Sequence, residues 1–173
     1  SENNVLKRYY KASLKFKLNT IVRITSDSPL MDSSIIDNAI ISYKSKKIDY
    51  YNNILKPSYP IGIHIEIFNF KTLKKLFVKV KDKEFLEHVT PYIYNTPGEF
   101  KIYTNILKNK ISNYRFTIDF PEDLKMLKKA INLTNKGTAV NYNDIIKIIK
   151  KYPKLKKLNS NIKKERFFAK NLI

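Results

Sequence analysis

Apolar positions along this chain alternate between two periods. Over residues 3–18, Val5, Leu6, Tyr9, Ala12 and Phe16 recur at helical spacing, which predicts a helix. The β-branched run Thr20-Ile21-Val22-Arg23-Ile24-Thr25 predicts a short buried strand, ended by the loop signal Ser26-Asp27-Ser28-Pro29. Asp32 or Ser33 then offers a cap for a helix carrying Ile35, Ile36, Ala39 and Ile40. Asp49 to Asn53 predicts another strand. After Pro57 and Pro60, the residues Ile61, Ile63, Ile65 and Ile67 alternate with Gly62, His64 and Glu66, the period of a strand with one buried face.

Helices are expected over 71–80 and 83–94, and strands over 100–107 and 114–118. Pro121 suits a first helical turn, Glu122 and Asp123 favour its positive end, and Leu124, Leu127, Ala130 and Ile131 supply an apolar stripe. Asn143 is the expected cap of a last helix through Ile145, Ile146, Ile148 and Ile149. Strands alternating with helices predict an α/β layered domain, in which ligands bind beyond the carboxyl ends of the strands. Asp27 and Asp119 fall at two such ends. A pair of carboxylates there suits Mg²⁺, held together with substrate phosphates. The alternative is that each Asp caps the next helix or turn.

Composition narrows the chemistry. At 173 residues with 43% hydrophobic content, the chain suits one ordered domain. There is no cysteine, and His64 and His88 are the two histidines, which removes thiol catalysis and Cys- or His-rich zinc sites. No apolar run approaches the roughly 18 residues of a membrane span. The first residues, Ser1-Glu2-Asn3-Asn4, carry no secretory pattern, so a cytoplasmic protein is expected.

The formal charge of +19 invites a nucleic-acid partner. It comes from 30 Lys and only 4 Arg, in a chain crowded with Ile, Asn and Tyr. Phosphate and base readers rely on Arg for bidentate contacts, so this excess reads as a solvated surface. From Lys136 onward there are 11 basic and 2 acidic residues. The expected division is therefore a domain over 1–135 and a basic helical tail over 136–173.

Six ordered blocks between residues 5 and 124 carry a resemblance. Val5-Leu6-Lys7-Arg8-Tyr9-Tyr10-Lys11-Ala12 comes first, and Arg23-Ile24-Thr25-Ser26-Asp27-Ser28-Pro29-Leu30-Met31-Asp32 second. Asp49-Tyr50-Tyr51-Asn52-Asn53 follows, then Tyr59-Pro60-Ile61-Gly62-Ile63-His64-Ile65-Glu66-Ile67-Phe68. Glu87-His88-Val89-Thr90-Pro91-Tyr92-Ile93-Tyr94 is fifth, and Arg115-Phe116-Thr117-Ile118-Asp119-Phe120-Pro121-Glu122-Asp123-Leu124 last. Together they resemble the spore-coat polysaccharide cytidylyltransferases, in the group of CMP-sugar synthetases that includes 3-deoxy-manno-octulosonate cytidylyltransferase.

The resemblance implies a Rossmann-like, glycosyltransferase-A-like nucleotidyltransferase domain in three layers. It implies attack of a sugar hydroxyl on the α-phosphate of CTP, with Mg²⁺ as cofactor and pyrophosphate as leaving group. By the same resemblance Asp27 and Asp119 hold the metal, and Arg23 stabilises phosphate charge or contacts the sugar, with a surface ion pair as the alternative. Arg115 orients an acceptor oxygen or pairs with Asp119. Asn53, His64, Glu66 and His88 are candidates for the sugar pocket, each with a structural role as the alternative. A homodimer is the expected assembly.

The sequence departs from the family pattern at His64, where Asp is usual, at Ile61, where Arg is common, and at Leu86, where Arg precedes the Glu-His-Val-Thr-Pro run. No glycine-rich phosphate loop is present either, since the glycines are Gly62, Gly98 and Gly137. On the resemblance, the chain matches the C-terminal two-thirds of a member, with the N-terminal nucleotide-binding part missing and weak CTP binding expected. A basic nucleic-acid-binding module and an inactive sugar- or subunit-binding relic of the family are the competing readings.

Overall fold

The structure is a computed structural model and describes residues 4–162. Helix α1 spans Val5–Lys15 and β1 Thr20–Arg23; α2 spans Ser33–Lys44 and β2 Tyr50–Asn52. Strand β3, Glu66–Asn69, runs directly into α3, Phe70–Lys79. Then come α4 (Lys83–His88), α5 (Pro91–Asn95), β4 (Ile102–Thr104), α6 (Pro121–Asn132) and α7 (Tyr142–Lys151). Gly137–Ala139 and Pro153–Leu158 are 3-10 turns.

The strands form one mixed sheet in the order β1-β3-β2-β4. β3 is antiparallel to both β1 and β2, and β2 is parallel to β4. Three strands, β1, β2 and β4, therefore point their carboxyl ends the same way, with β3 reversed among them. Neighbouring tyrosines on β2 face opposite sides, as strand pleating requires. Tyr50 packs with Leu6, Phe68, Leu73 and Leu76 beneath α1 and α3, whereas Tyr51 packs with Ala39, Tyr43, Ile65 and Ile67 beneath α2. The result is an α/β fold with helices on both faces of a four-stranded sheet.

Double coverage explains one departure from the sequence pattern. The 61–70 run was expected to bury one face only, and the assigned strand covers just its second half. Ile65 and Ile67 are buried, but so are Glu66 and Phe68, because the sheet is sandwiched.

A second departure is the 114–118 run, which forms no strand and makes a single bridge, Ile61 to Arg115. Its backbone groups pair with loops instead. Ile61 N donates to Tyr114 O at 3.0 Å, Phe116 N to Ile61 O at 2.7 Å and Ile118 N to Asp27 O at 2.9 Å. Gly62 permits this approach. It has φ +90°, and a Cβ there would lie 2.4 Å from Thr117 N.

The helix expected over 83–94 is two helices, broken at Val89-Thr90. The last helix is capped by Asn141 rather than Asn143, through a reciprocal capping box with Asp144. Its buried Ile145, Ile146 and Ile149 join Ile63, Phe116, Met126 and Leu127 in a third apolar cluster. The first part of the segment expected as a basic tail thus contributes to the core. Residues 163–173 of that segment lie outside the described residues. No helix among the described residues is long and apolar enough to cross a membrane.

Candidate active site

The site forms where the loop after β1, the loop before β3 and the 115–123 segment meet. Arg23, the last residue of β1, lies directly across from Glu66 on β3 and ion-pairs with it. Cross-strand register alone brings these two charges together. Glu66 is 2% exposed, and its other oxygen accepts hydrogen bonds from Tyr50 Oη and Thr90 Oγ1, each at 2.5 Å. Burial and the neighbouring Glu66 push the Tyr50 hydroxyl well above its ordinary pKa, so it remains a donor.

Glu66, a candidate for the sugar pocket with a structural role as the alternative, is buried and bonded through both oxygens. Its charge holds Arg23 in place. Asn53 is equally enclosed. It is 1% exposed; its amide donates to Ile63 O at 2.8 Å, and its oxygen accepts from Ile65 N at 2.9 Å. Asn53 therefore clamps the peptide groups on either side of His64.

His64 lies near Asp27 and Glu66. Burial pulls its pKa below 6.5, and the two carboxylates oppose that shift only in part, so the ring is neutral at pH 7. His88 is half-buried at the end of α4, one residue before a backbone turn. In that turn Val89 has φ 72° and ψ −57°, and Thr90 N donates to His88 O at 2.9 Å, the pattern of a γ-turn. A β-branched residue is strained there. The turn persists with Val89 buried and the Thr90 hydroxyl held on Glu66.

The second half of the site is built on Asp123, at the start of α6. This carboxylate is 0% exposed and accepts Arg115 Nε at 2.9 Å, Asn159 Nδ2 at 2.9 Å and the backbone N–H groups of Asp119 and Phe120 at 3.2 Å each. Burial pushes its pKa up, but the Arg115, Asn159 and backbone hydrogen bonds outweigh it and leave the pKa lowered. Arg115 also bonds Asp119 at 2.5 Å. The side chain of Asp119 is 41% exposed.

The Ile118-to-Asp27 backbone hydrogen bond places Asp27 beside the residue that precedes Asp119. Asp27 takes a 3.2 Å contact from Ser28 Oγ, and Asp119 keeps an exposed carboxylate. Hard, accessible oxygens of this kind suit a magnesium ion. The site as a whole sets four carboxylates (Asp27, Glu66, Asp119, Asp123) against two guanidiniums (Arg23, Arg115), so it is locally acidic in a chain of net charge +19.

Sequence reasoning missed Tyr50, Thr90, Asp123 and Asn159 as parts of this site. The first three stand inside the ordered blocks, which is the signal that would have found them. Asn159 stands outside every block.

A family described as cytidylyltransferase matches residues 1–169. The chain belongs to the cytidylyltransferase family. Among its relatives is an uncharacterized protein of Methanocaldococcus jannaschii, 35% identical over 176 residues that cover 96% of this chain and 68% of the relative. A spore coat polysaccharide biosynthesis protein of Bacillus subtilis, SpsF, is 28% identical over 88% of this chain and 64% of its own length. The structure of a cytidylyltransferase from Leptospira borgpetersenii superposes with a TM-score of 0.83 at 32% identity, covering 88% of this chain and 65% of that one. The family member described here spans about two-thirds of the length of these relatives.

Proposed function

We propose that this chain holds the metal-binding and acceptor-side residues of a cytidylyltransferase that transfers CMP from CTP to a sugar hydroxyl. The single observation that carries this is the juxtaposition of Asp27 and Asp119 by the Ile118-to-Asp27 backbone bond, next to Arg115. The family match supports the nucleotide, and the name of the Bacillus subtilis relative supports a role in surface polysaccharide biosynthesis. The proposed setting is the cytoplasm.

In the reaction the acceptor oxygen forms a bond to the α-phosphorus, the bond to the bridging oxygen breaks, and pyrophosphate leaves. The acceptor hydroxyl proton is lost to solvent or to the leaving group. No covalent enzyme intermediate is needed, so the work is positioning and charge neutralisation. Asp27 and Asp119 would hold Mg²⁺, which would supply neutralisation of phosphate charge. Among the described residues no three His, Cys, Asp or Glu side chains group to hold a metal, so the chain would supply a minority of the ligands, as is usual for Mg²⁺ bound together with substrate phosphates.

Arg23 is fixed by Glu66 and Arg115 by Asp123, so each guanidinium is placed before substrate arrives. Neutral His64 offers a ring nitrogen without adding positive charge. The test is pyrophosphate release from CTP, supplied with Mg²⁺ and a panel of sugars, in the full encoded protein. Asp27→Asn and Asp119→Asn are each expected to lower turnover by about 100-fold or more, and to weaken Mn²⁺ binding measured by electron paramagnetic resonance. Wild-type turnover in both variants overturns the assignment.

A further inference from the structure

A cavity of about 300 Å³ opens on the other face of the sheet, beneath α2. Ser34, Asn38 and Ser42 line it at four-residue spacing, so one stripe of α2 presents hydroxyl and amide groups to the space. The opposite wall is Tyr51 and Tyr59, with Asn105 just beyond the carboxyl end of β4. Asn105 Nδ2 already donates to Tyr59 Oη at 2.8 Å, which orients both groups and leaves the Asn105 oxygen and the Tyr59 proton to bond a ligand.

None of the nine lining residues is charged, although 28% of the chain is. This exclusion is the informative feature. A phosphate, nucleotide or carboxylate ligand would be matched by Lys or Arg, which this chain has in overall excess. Hydroxyls and amides around tyrosine rings instead match a neutral ligand with many hydroxyl groups, whose C–H face rests on the aromatic wall. The parallel pair β2 and β4 ends here, the place where α/β sheets receive ligands. Tyr50 and Tyr51 point to opposite faces, so this cavity and the Glu66 centre lie on different sides of the sheet.

We propose that this cavity is a second ligand site, for an uncharged polyhydroxylated ligand of monosaccharide size. It does not rest on the assignment of Asp27 and Asp119. The probes are D-glucose and N-acetyl-D-glucosamine, with glucose 6-phosphate as the charged control, titrated into the ¹⁵N-labelled full chain. A neutral sugar is expected to produce saturable amide shifts at Asn38, Ser42 and Asn105, and the phosphorylated sugar weaker ones.

Asn38→Lys on the exposed helix face, and Asn105→Ala across the cavity, are each expected to weaken binding about tenfold. Asp27→Asn is expected to leave it unchanged. The proposal is overturned if neither neutral sugar saturates, if both cavity variants bind as the wild type does, or if the shifts map around Asp27 and Asp119. Loss of activity in Asp27→Asn with sugar binding intact separates this site from the catalytic one.

Discussion

Arg23 and Arg115 each face a buried carboxylate, but the two centres are built differently. The Arg23 centre sits within the sheet. Its acid, Glu66, is closed off by Tyr50 and Thr90, and all its partners come from regular elements or the turn after α4. The Arg115 centre sits between a loop and a helix start. Its acid, Asp123, is equally buried, but Arg115 also reaches the exposed Asp119. A sealed acid fixes its arginine and presents no carboxylate outward. A centre with one buried and one exposed acid fixes the arginine and still presents a carboxylate outward. That difference is why the proposed reaction assigns the metal to Asp119 and not to Glu66.

Several substitutions bear on this comparison. The largest effect is expected at the sealed centre. Glu66→Gln keeps the shape but leaves Arg23 without its counter-charge, and should lower stability by about 3–5 kcal/mol in urea denaturation. A loss below about 1 kcal/mol would show that Glu66 does not act as a buried ion-pair partner.

Asp123→Asn should destabilise by about 1–3 kcal/mol, since it loses charge-assisted bonds while keeping its volume. It should also change the acid limb. Asp123 has a folded pKa below its ordinary 3.8, so its contribution is present above that value and lost as pH falls through the folded pKa. The variant should therefore lose less stability than the wild type on acidification below about pH 4, followed by denaturation at several pH values.

Asn159→Ala removes one bond to Asp123 and one to Arg115 O, and should reduce stability by about 1 kcal/mol. Its sharper readout is kinetic. If Asn159 holds Arg115 in place, kcat falls with KM little changed, whereas a merely structural role leaves both unaffected at temperatures below unfolding.

The smallest effect concerns His64. Its pKa is lowered in the folded state, so the unfolded chain takes up the proton first as pH falls through about 6.5, and stability declines below that point. His64→Asn should flatten the change in denaturation midpoint between pH 7 and pH 5.5. An unchanged slope would assign the dependence to other groups.

Much of the fold was legible because local patterns report local burial. The helices at 5–15, 33–44 and 121–132 follow from apolar spacing and capping residues, and Asp32 caps α2 as its position suggested. The 61–70 alternation was read as half-exposed, because periodicity records which side chains are apolar and not how many layers cover the sheet. The 114–118 run has strand-like composition but no neighbouring strand to pair with, so its backbone groups bond the Asp27 and Ile61 loops instead. Site legibility divides the same way. Arg23, Asp27, Arg115 and Asp119 stand in recognisable blocks, whereas the burial of Asn53 and Glu66 could not be read from them.

The sequence by itself determined the alternation of helices and strands, the absence of thiol chemistry, and the ordered blocks that hold the charged residues. Tertiary structure alone decided which charges meet. Asn159 reaches Asp123 across 36 residues, Glu66 meets Arg23 across 43, and Ile118 binds the Asp27 backbone from a separate loop. The physical reason is that propensity and periodicity act within a few residues along the chain. Ion pairs and backbone bonds between loops depend on sheet register and on a glycine that lets two backbones approach, and these exist only once the layers have packed.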